Sequence, residues 1–296
     1  MIQTVAGRPG ATPYSQQAGP AALRVLVGSE LRRLREAAGV TAKDAGYEIR
    51  GSDSKISRLE LGRTSFKLRD VADLLTLYGV SGDADREALL TMARQANVPG
   101  WWHPYGDILV GWFADYLGLE QAARVIRCYE VQFVHGLLQT EDYARAVIGL
   151  RCQDPDEVER RVRFRMQRKQ IFRRPDPPHL WAVIDEAALR RPYGGRATMR
   201  AQLRQLIEAA ALPHVTVMVL PFSTGGHAAA GGPITLLRFA ETRIPDVVYL
   251  EQLNSACYPD KASDIDFYQR VIDRLAVEAE PPAATPAILH RILQET

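Results

Sequence analysis

Residues 53–63 read Asp53-Ser54-Lys55-Ile56-Ser57-Arg58-Leu59-Glu60-Leu61-Gly62-Arg63, and this stretch decides the fold of the N-terminal part. Ile56 and Leu59 stand three residues apart, the spacing that puts side chains on one face of a helix. Asp53, Ser54, Lys55, Ser57 and Arg58 are left for the outer faces, and Gly62 supplies a stop. Working backward, Arg50-Gly51-Ser52 makes a turn after a short helix from Ala42 to about Ile49. Thr41 suits its N-cap, with Asp44 three residues on in a capping-box-like position. A helix over Ser29–Ala38 precedes it, with Leu31, Leu34 and Arg35 at helical spacing and Gly39 as the stop. Forward of the stretch, a helix starting near Leu68 carries Val71, Leu74, Leu75 and Tyr78 on one face. Two short helices joined by a turn of about three to four residues form a helix-turn-helix, whose second helix enters the DNA major groove.

The polarity of residues 53–61 suits that task. Side chains near the start of such a helix reach base edges, which singles out Asp53, Ser54 and Lys55. Ser57 shares the outer surface, and Arg58, one turn beyond Lys55, can read a base or hold a phosphate. Arg63, Thr64 and Lys67 follow the helix and suit backbone phosphates. The chain as a whole carries 37 basic and 35 acidic residues, a net charge of +2 that argues for no partner. Between Arg50 and Arg69, however, six basic residues (Arg50, Lys55, Arg58, Arg63, Lys67, Arg69) face two acidic ones (Asp53, Glu60). That local excess points to a polyanion. The alternative is a solvated face of a small helical bundle.

A chain of 296 residues with 46% apolar and 24% charged residues holds roughly two globular domains. No apolar run approaches the ~18 residues that cross a bilayer, and Met1–Pro20 lacks the pattern of a secretory leader. The three cysteines, Cys128, Cys152 and Cys257, are too far apart for a disulfide framework or a zinc-ligand cluster. A reduced, cytoplasmic protein is expected. Residues 1–22, rich in Gly, Pro, Ala and Gln, read as a flexible tail. Residues 23–98 form the DNA-binding domain and 99–296 a second, regulatory domain. Residues 99–174 read as helical. From His179 the pattern changes to short β-rich runs, Leu180–Ile184, Val215–Leu220, Ile234–Phe239 and Val247–Leu253. A helix over Ala197–Ala211 lies between the first two, and a helix over Ala262–Val277 precedes a last short one. The fold class is α+β multidomain: an all-α helix-turn-helix bundle, then a helical segment leading into a mixed α/β domain.

The runs Leu31-Arg32-Arg33-Leu34-Arg35-Glu36-Ala37-Ala38-Gly39 and Ser54–Arg63, with the Thr41 helix start, resemble the Xre-type helix-turn-helix of bacterial regulators. The resemblance implies a DNA-binding domain, often dimeric, in which Glu60 braces the fold. Ala42 stands where the family commonly has a DNA-contacting Gln, and Arg50 where it has the turn Gly. Further on, Gly100-Trp101-Trp102, Gly136–Ala144, Asp185–Arg191, Leu220–Ser223 and Asp246–Glu251 resemble the WhiJ-like actinobacterial regulators. In the segment Tyr129–Leu138, Val131 and His135 replace Pro residues common in that group. The likeness covers nearly all of the chain past residue 23. It implies a transcriptional regulator, often paired with a small partner protein.

The second domain offers several candidate features. Trp101, Trp102 and Trp112, with Tyr105, Phe113 and Tyr116 nearby, can line a ligand pocket, anchor an interface or simply fill a core. His103 can sit at the mouth of such a pocket. Asp185 and Glu186 are adjacent on a strand and so face opposite ways, which favours a helix cap or partners for Arg190 and Arg191 over paired acid–base work. The loop Ser223-Thr224-Gly225-Gly226-His227 is a hairpin loop or an anion cradle, with His227 its best polar contact. Eight basic residues between Arg160 and Arg174 describe a solvated helix, a subunit contact or a second nucleic-acid surface. Known hydrolase, P-loop, metalloprotease and Cys-x-x-Cys motifs are absent, so no catalytic residue, metal or cofactor is expected. The expectation is a sequence-specific regulator that binds double-stranded DNA as a homodimer. Its second domain senses a small molecule or docks a small partner protein. The alternative is an antitoxin-like hub that neutralises such a partner and represses its own operon.

Overall fold

The computed structural model describes residues 20–229, 231–240 and 244–296. The chain divides into two compact units, with the boundary between Gly100 and Trp101. Most of the expected tail lies outside the described residues. Its last residues, from Pro20 on, already belong to the first helix, where proline at the first position loses no hydrogen bond.

Among the described residues, the first unit holds five helices: α1 (Pro20–Ala37), α2 (Ala42–Glu48), α3 (Asp53–Glu60), α4 (Leu68–Leu77) and α5 (Asp83–Ala96). Helix α1 starts nine residues earlier than expected because Leu23 and Val27 extend the stripe of Leu31 into the core. Around them close Ile56 and Leu59 of α3, Val71, Leu74 and Leu75 of α4, and Leu89 and Ala93 of α5. The hydroxyl of Thr41 accepts from Asp44 N and donates to the Asp44 carboxylate, so the expected cap is present. Gly46 costs α2 about 1 kcal/mol in helix propensity, yet a Cβ there would lie 2.9 Å from the backbone of Ser52. The close approach of α2 to the start of α3 therefore requires it.

The second unit is built on a six-stranded sheet. Its strands are β1 (Ala123–Glu130), β2 (His179–Asp185), β3 (Val215–Leu220), β4 (Ile234–Phe239), β5 (Val247–Glu251) and β6 (Ala256–Cys257), in the order β3-β2-β1-β4-β5-β6. The first three run parallel; β4, β5 and β6 are added antiparallel. The helices are α6 (Gly111–Ala122), α7 (Glu141–Ile148), α8 (Pro155–Arg168), α9 (Glu186–Arg190), α10 (Gly195–Ala210), α11 (Ala262–Glu278) and α12 (Thr285–Glu295). The later strands and helices stand within a few residues of their expected places. Strand β1 does not, since it lies in the stretch read as helical. It pairs with β2 on one side and β4 on the other, and its parallel partner forces a long crossover, which α7 and α8 supply.

Pairing fixes the two faces of the sheet. Cys128 lies opposite Thr235, and Thr235 opposite Tyr249, so these three share one face. Tyr129 lies opposite Ile234 on the other face, which α11 covers through Val271, Ile272 and Leu275. Helix α6 packs on the Cys128 face, where Tyr116 lies tilted against Tyr249 with ring centroids 4.3 Å apart. That face is unusually polar for an interior.

Candidate functional site

The turn and α3 form the geometry expected of a helix-turn-helix. Helix α2 ends in a Schellman motif: Gly51 N donates to Gly46 O at 2.8 Å and Arg50 N to Tyr47 O at 3.0 Å. The motif needs a left-handed residue, and here it is Arg50, with φ +52°, the one non-glycine residue with positive φ among the described residues. Ser52 caps α3 by accepting from Lys55 N. Ile56, Leu59 and Glu60 are buried, and Asp53, Ser54 and Arg58 are exposed. Glu60 accepts two bonds from Arg35, at 2.6 and 3.0 Å, and so ties α3 to α1.

The candidate DNA contacts are not equivalent. Lys55 turns away from the surface to Asp70 of α4, with Nζ 2.6 Å from the carboxylate. Asp70 lies one residue beyond the basic stretch, and nothing in the local spacing announces the pair. Arg69 has Asp73 at 3.7 Å. Ser57, Arg63 and Thr64 are half-buried and Lys67 is exposed. Arg50, Arg58 and Lys67 are exposed and hold no ion pair among the described residues. Tyr47 at the end of α2 is 86% exposed beside the turn. A lone aromatic on a short helix carries no signal that could have marked it.

The aromatic segment of the second unit is held by ring-to-ring packing. Trp101 stacks on Phe164 of α8 at 5.3 Å and meets Trp102 edge-on. Trp112 lies by Phe113 and Tyr249, and His103 is exposed. Most of the basic run from Arg160 to Arg174 is likewise spent on partners within the unit. Arg160 pairs with Asp107, Arg161 with Glu157, and Arg165 donates to Gln139. Arg168 forms a bidentate pair with Glu120, Lys169 donates to Gln139 O, and Arg174 to Gln121. Arg163 and Arg173 are exposed.

The C-terminal end of β1 carries polar groups on both faces. On the α11 face, Tyr129 Oη donates to Asp185 Oδ2 at 3.1 Å and lies 3.3 Å from His227 Nε2. His227 Nδ1 accepts from Ala229 N, so the proton of the neutral ring is on Nε2. Asp185 also caps α9 through Ala187 N, while Glu186 binds Arg190 and accepts from Phe222 N. The two carboxylates do part company, as adjacent strand residues should. Because Trp112 belongs to the Tyr249 face, the sheet lies between it and His227, and the structure does not gather the candidate ligand residues into one site. On the Cys128 face, burial pushes the Cys128 thiol up, lifts the Glu130 carboxyl to about 8 with help from Glu251, and lowers His135 to about 3.

A model for a helix-turn-helix domain matches residues 26–89. A second, for a domain of unknown function (DUF5753), matches residues 113–291, more than half of the chain. The chain belongs to the DUF5753 family. No curated protein matches it, and no solved structure does. The helix-turn-helix match spans α1 from Leu26 into α5 and supports a general DNA-binding regulatory role. The DUF5753 match opens inside α6 and closes inside α12, so it takes in the whole sheet, the polar groups of β1 and His227. Trp101, Trp102, His103 and Trp112 precede it. No described helix is long and apolar enough to cross a membrane.

Proposed function

We propose that this chain is a sequence-specific transcriptional regulator of the Xre type, akin to the WhiJ-like group. In this reading it binds double-stranded operator DNA as a homodimer, and its DUF5753 domain senses a small molecule or docks a small partner protein. The observation that carries the DNA half is the exposed set Ser54, Arg58, Arg50 and Lys67 on and around a capped helix that follows a tight turn. Arg58 and Ser54 are the base-reading candidates; Arg50 and Lys67 suit phosphates. Lys55, held by Asp70, serves more as a brace than as a reader. The antitoxin-like alternative shares this DNA-binding domain and differs in what the DUF5753 domain holds.

The test is selection of sequences from a random duplex library by the full chain, followed by titration of the enriched site at fixed salt. An enriched motif is expected, and its palindromy would support a dimer. Arg58→Ala should weaken binding about tenfold or more, the scale of one good base contact, with the circular dichroism spectrum unchanged. Failure to enrich any sequence, or equal affinity of Arg58→Ala and the parent chain, would overturn the reading. Native mass spectrometry of the chain taken from its host separates a bound small molecule from a bound protein.

A further inference from the structure

We propose that Cys128, Glu130 and His135 form a divalent transition-metal site in the DUF5753 domain, suited to zinc. The site stands whether or not the chain binds DNA, and it reverses the expectation of no metal. Cys128 and Glu130 are two residues apart on β1 and so project from the same face of the sheet. His135 follows in the loop after the strand. One donor atom from each lies within 4.8 Å of the other two. An ion with tetrahedral bonds of about 2.0–2.3 Å sets its donors roughly 3.3–3.8 Å apart. The three side chains therefore need to close by only about 1 Å.

The surroundings suit such an ion. Cys128 and His135 are 1% and 4% exposed, and Glu130 is half-buried. Neither Cys128 nor Glu130 has a hydrogen bond or ion pair of its side chain among the described residues. His135 Nδ1 accepts only a long bond, 3.3 Å, from Leu137 N, which the ring gives up when either of its nitrogens ligates an ion. The nearby cations are already engaged: Arg168 is neutralised by Glu120, and Arg165 donates to Gln139. A thiolate and a carboxylate then balance the charge of a divalent ion. A sulfur, a nitrogen and an oxygen donor select zinc or a similar borderline ion over magnesium or calcium, which take oxygen alone. Three protein donors leave one position for water or a further ligand. Bound there, the ion would pin the end of the central strand to the segment 134–139.

Cobalt(II) is the probe, added to the chelator-treated full chain. One equivalent should bind, with a thiolate-to-cobalt charge-transfer band and the visible bands of a tetrahedral ion, and zinc should displace it. The Cys152→Ser/Cys257→Ser variant keeps the core intact and leaves Cys128 as the sole thiol, so it should keep the band. Cys128→Ser should lose the band, and His135→Ala should weaken binding at least tenfold. Absence of the band in the folded Cys152→Ser/Cys257→Ser variant, or its survival in Cys128→Ser, would overturn the site.

Discussion

Arg50→Gly should stabilise the N-terminal unit. Helices α1, α3 and α4 end in the same Schellman pattern as α2, with the left-handed position filled by Gly39, Gly62 and Gly79 at φ between +66° and +76°. Only α2 places a side chain there, at φ +52°. Holding an L-residue left-handed costs roughly 1–2 kcal/mol, because Cβ crowds the following carbonyl. Arg50 recovers none of this through a side-chain hydrogen bond or ion pair among the described residues. Glycine relieves the crowding but frees the unfolded chain, at a cost of about 0.4–1 kcal/mol. The balance is a gain of about 0.5–1 kcal/mol, which for a unit of this size raises its Tm by about 3–6 °C. Differential scanning calorimetry of the full chain, with Arg50→Ala in parallel, measures it. Alanine keeps Cβ and should gain nothing. If glycine is no more stable than alanine, backbone strain at Arg50 is not what the turn stores. The same variant separates stability from recognition. If Arg50 holds a phosphate, operator affinity falls while Tm rises, and the salt dependence loses about one unit of slope.

Two further changes test the remaining assignments. Asp70→Asn releases Lys55 from its 2.6 Å partner; operator affinity should rise and its salt dependence steepen, and anisotropy titrations at several salt concentrations that show no change would place Lys55 away from the DNA. In the second unit, Arg168→Ala strands the fully buried Glu120 and should cost about 3–5 kcal/mol by denaturant unfolding, whereas Glu120→Leu with Arg168→Met should recover most of that loss.

What was legible in the sequence was local. Strands β2 to β5 are short β-branched runs closed off by Pro and Gly, and α3 and α4 carry their apolar residues at helical spacing, so each announces itself within about ten residues. Strand β1 hides because charged residues interrupt its alternation. Arg124, Arg127 and Glu130 stand three residues apart among its apolar positions, so neither period stands out. Only the pairing with β2 and β4 makes a strand of it. The sites fail for a related reason. Tyr129 and His227 are 98 residues apart, and Cys128 acquires Glu130 and His135 as neighbours only once β1 is extended and the following loop folds back.

The two basic runs sharpen this point. In sequence, 160–174 is the stronger signal, with eight cations and no acid against six cations and two acids in 50–69. In the fold the order inverts. The run 160–174 lies among Asp107, Glu120, Glu157, Gln121 and Gln139, and six of its eight cations end on them or on neighbouring carbonyls. The turn and α3 are met by fewer acceptors, and Arg50, Arg58 and Lys67 stay in water. Long arginine stems cover apolar surface and their heads seek the nearest carboxylate. A run of cations therefore marks a polyanion surface only where the rest of the domain offers too few acceptors to consume it. That count belongs to the tertiary structure, and it favours the weaker of the two sequence signals.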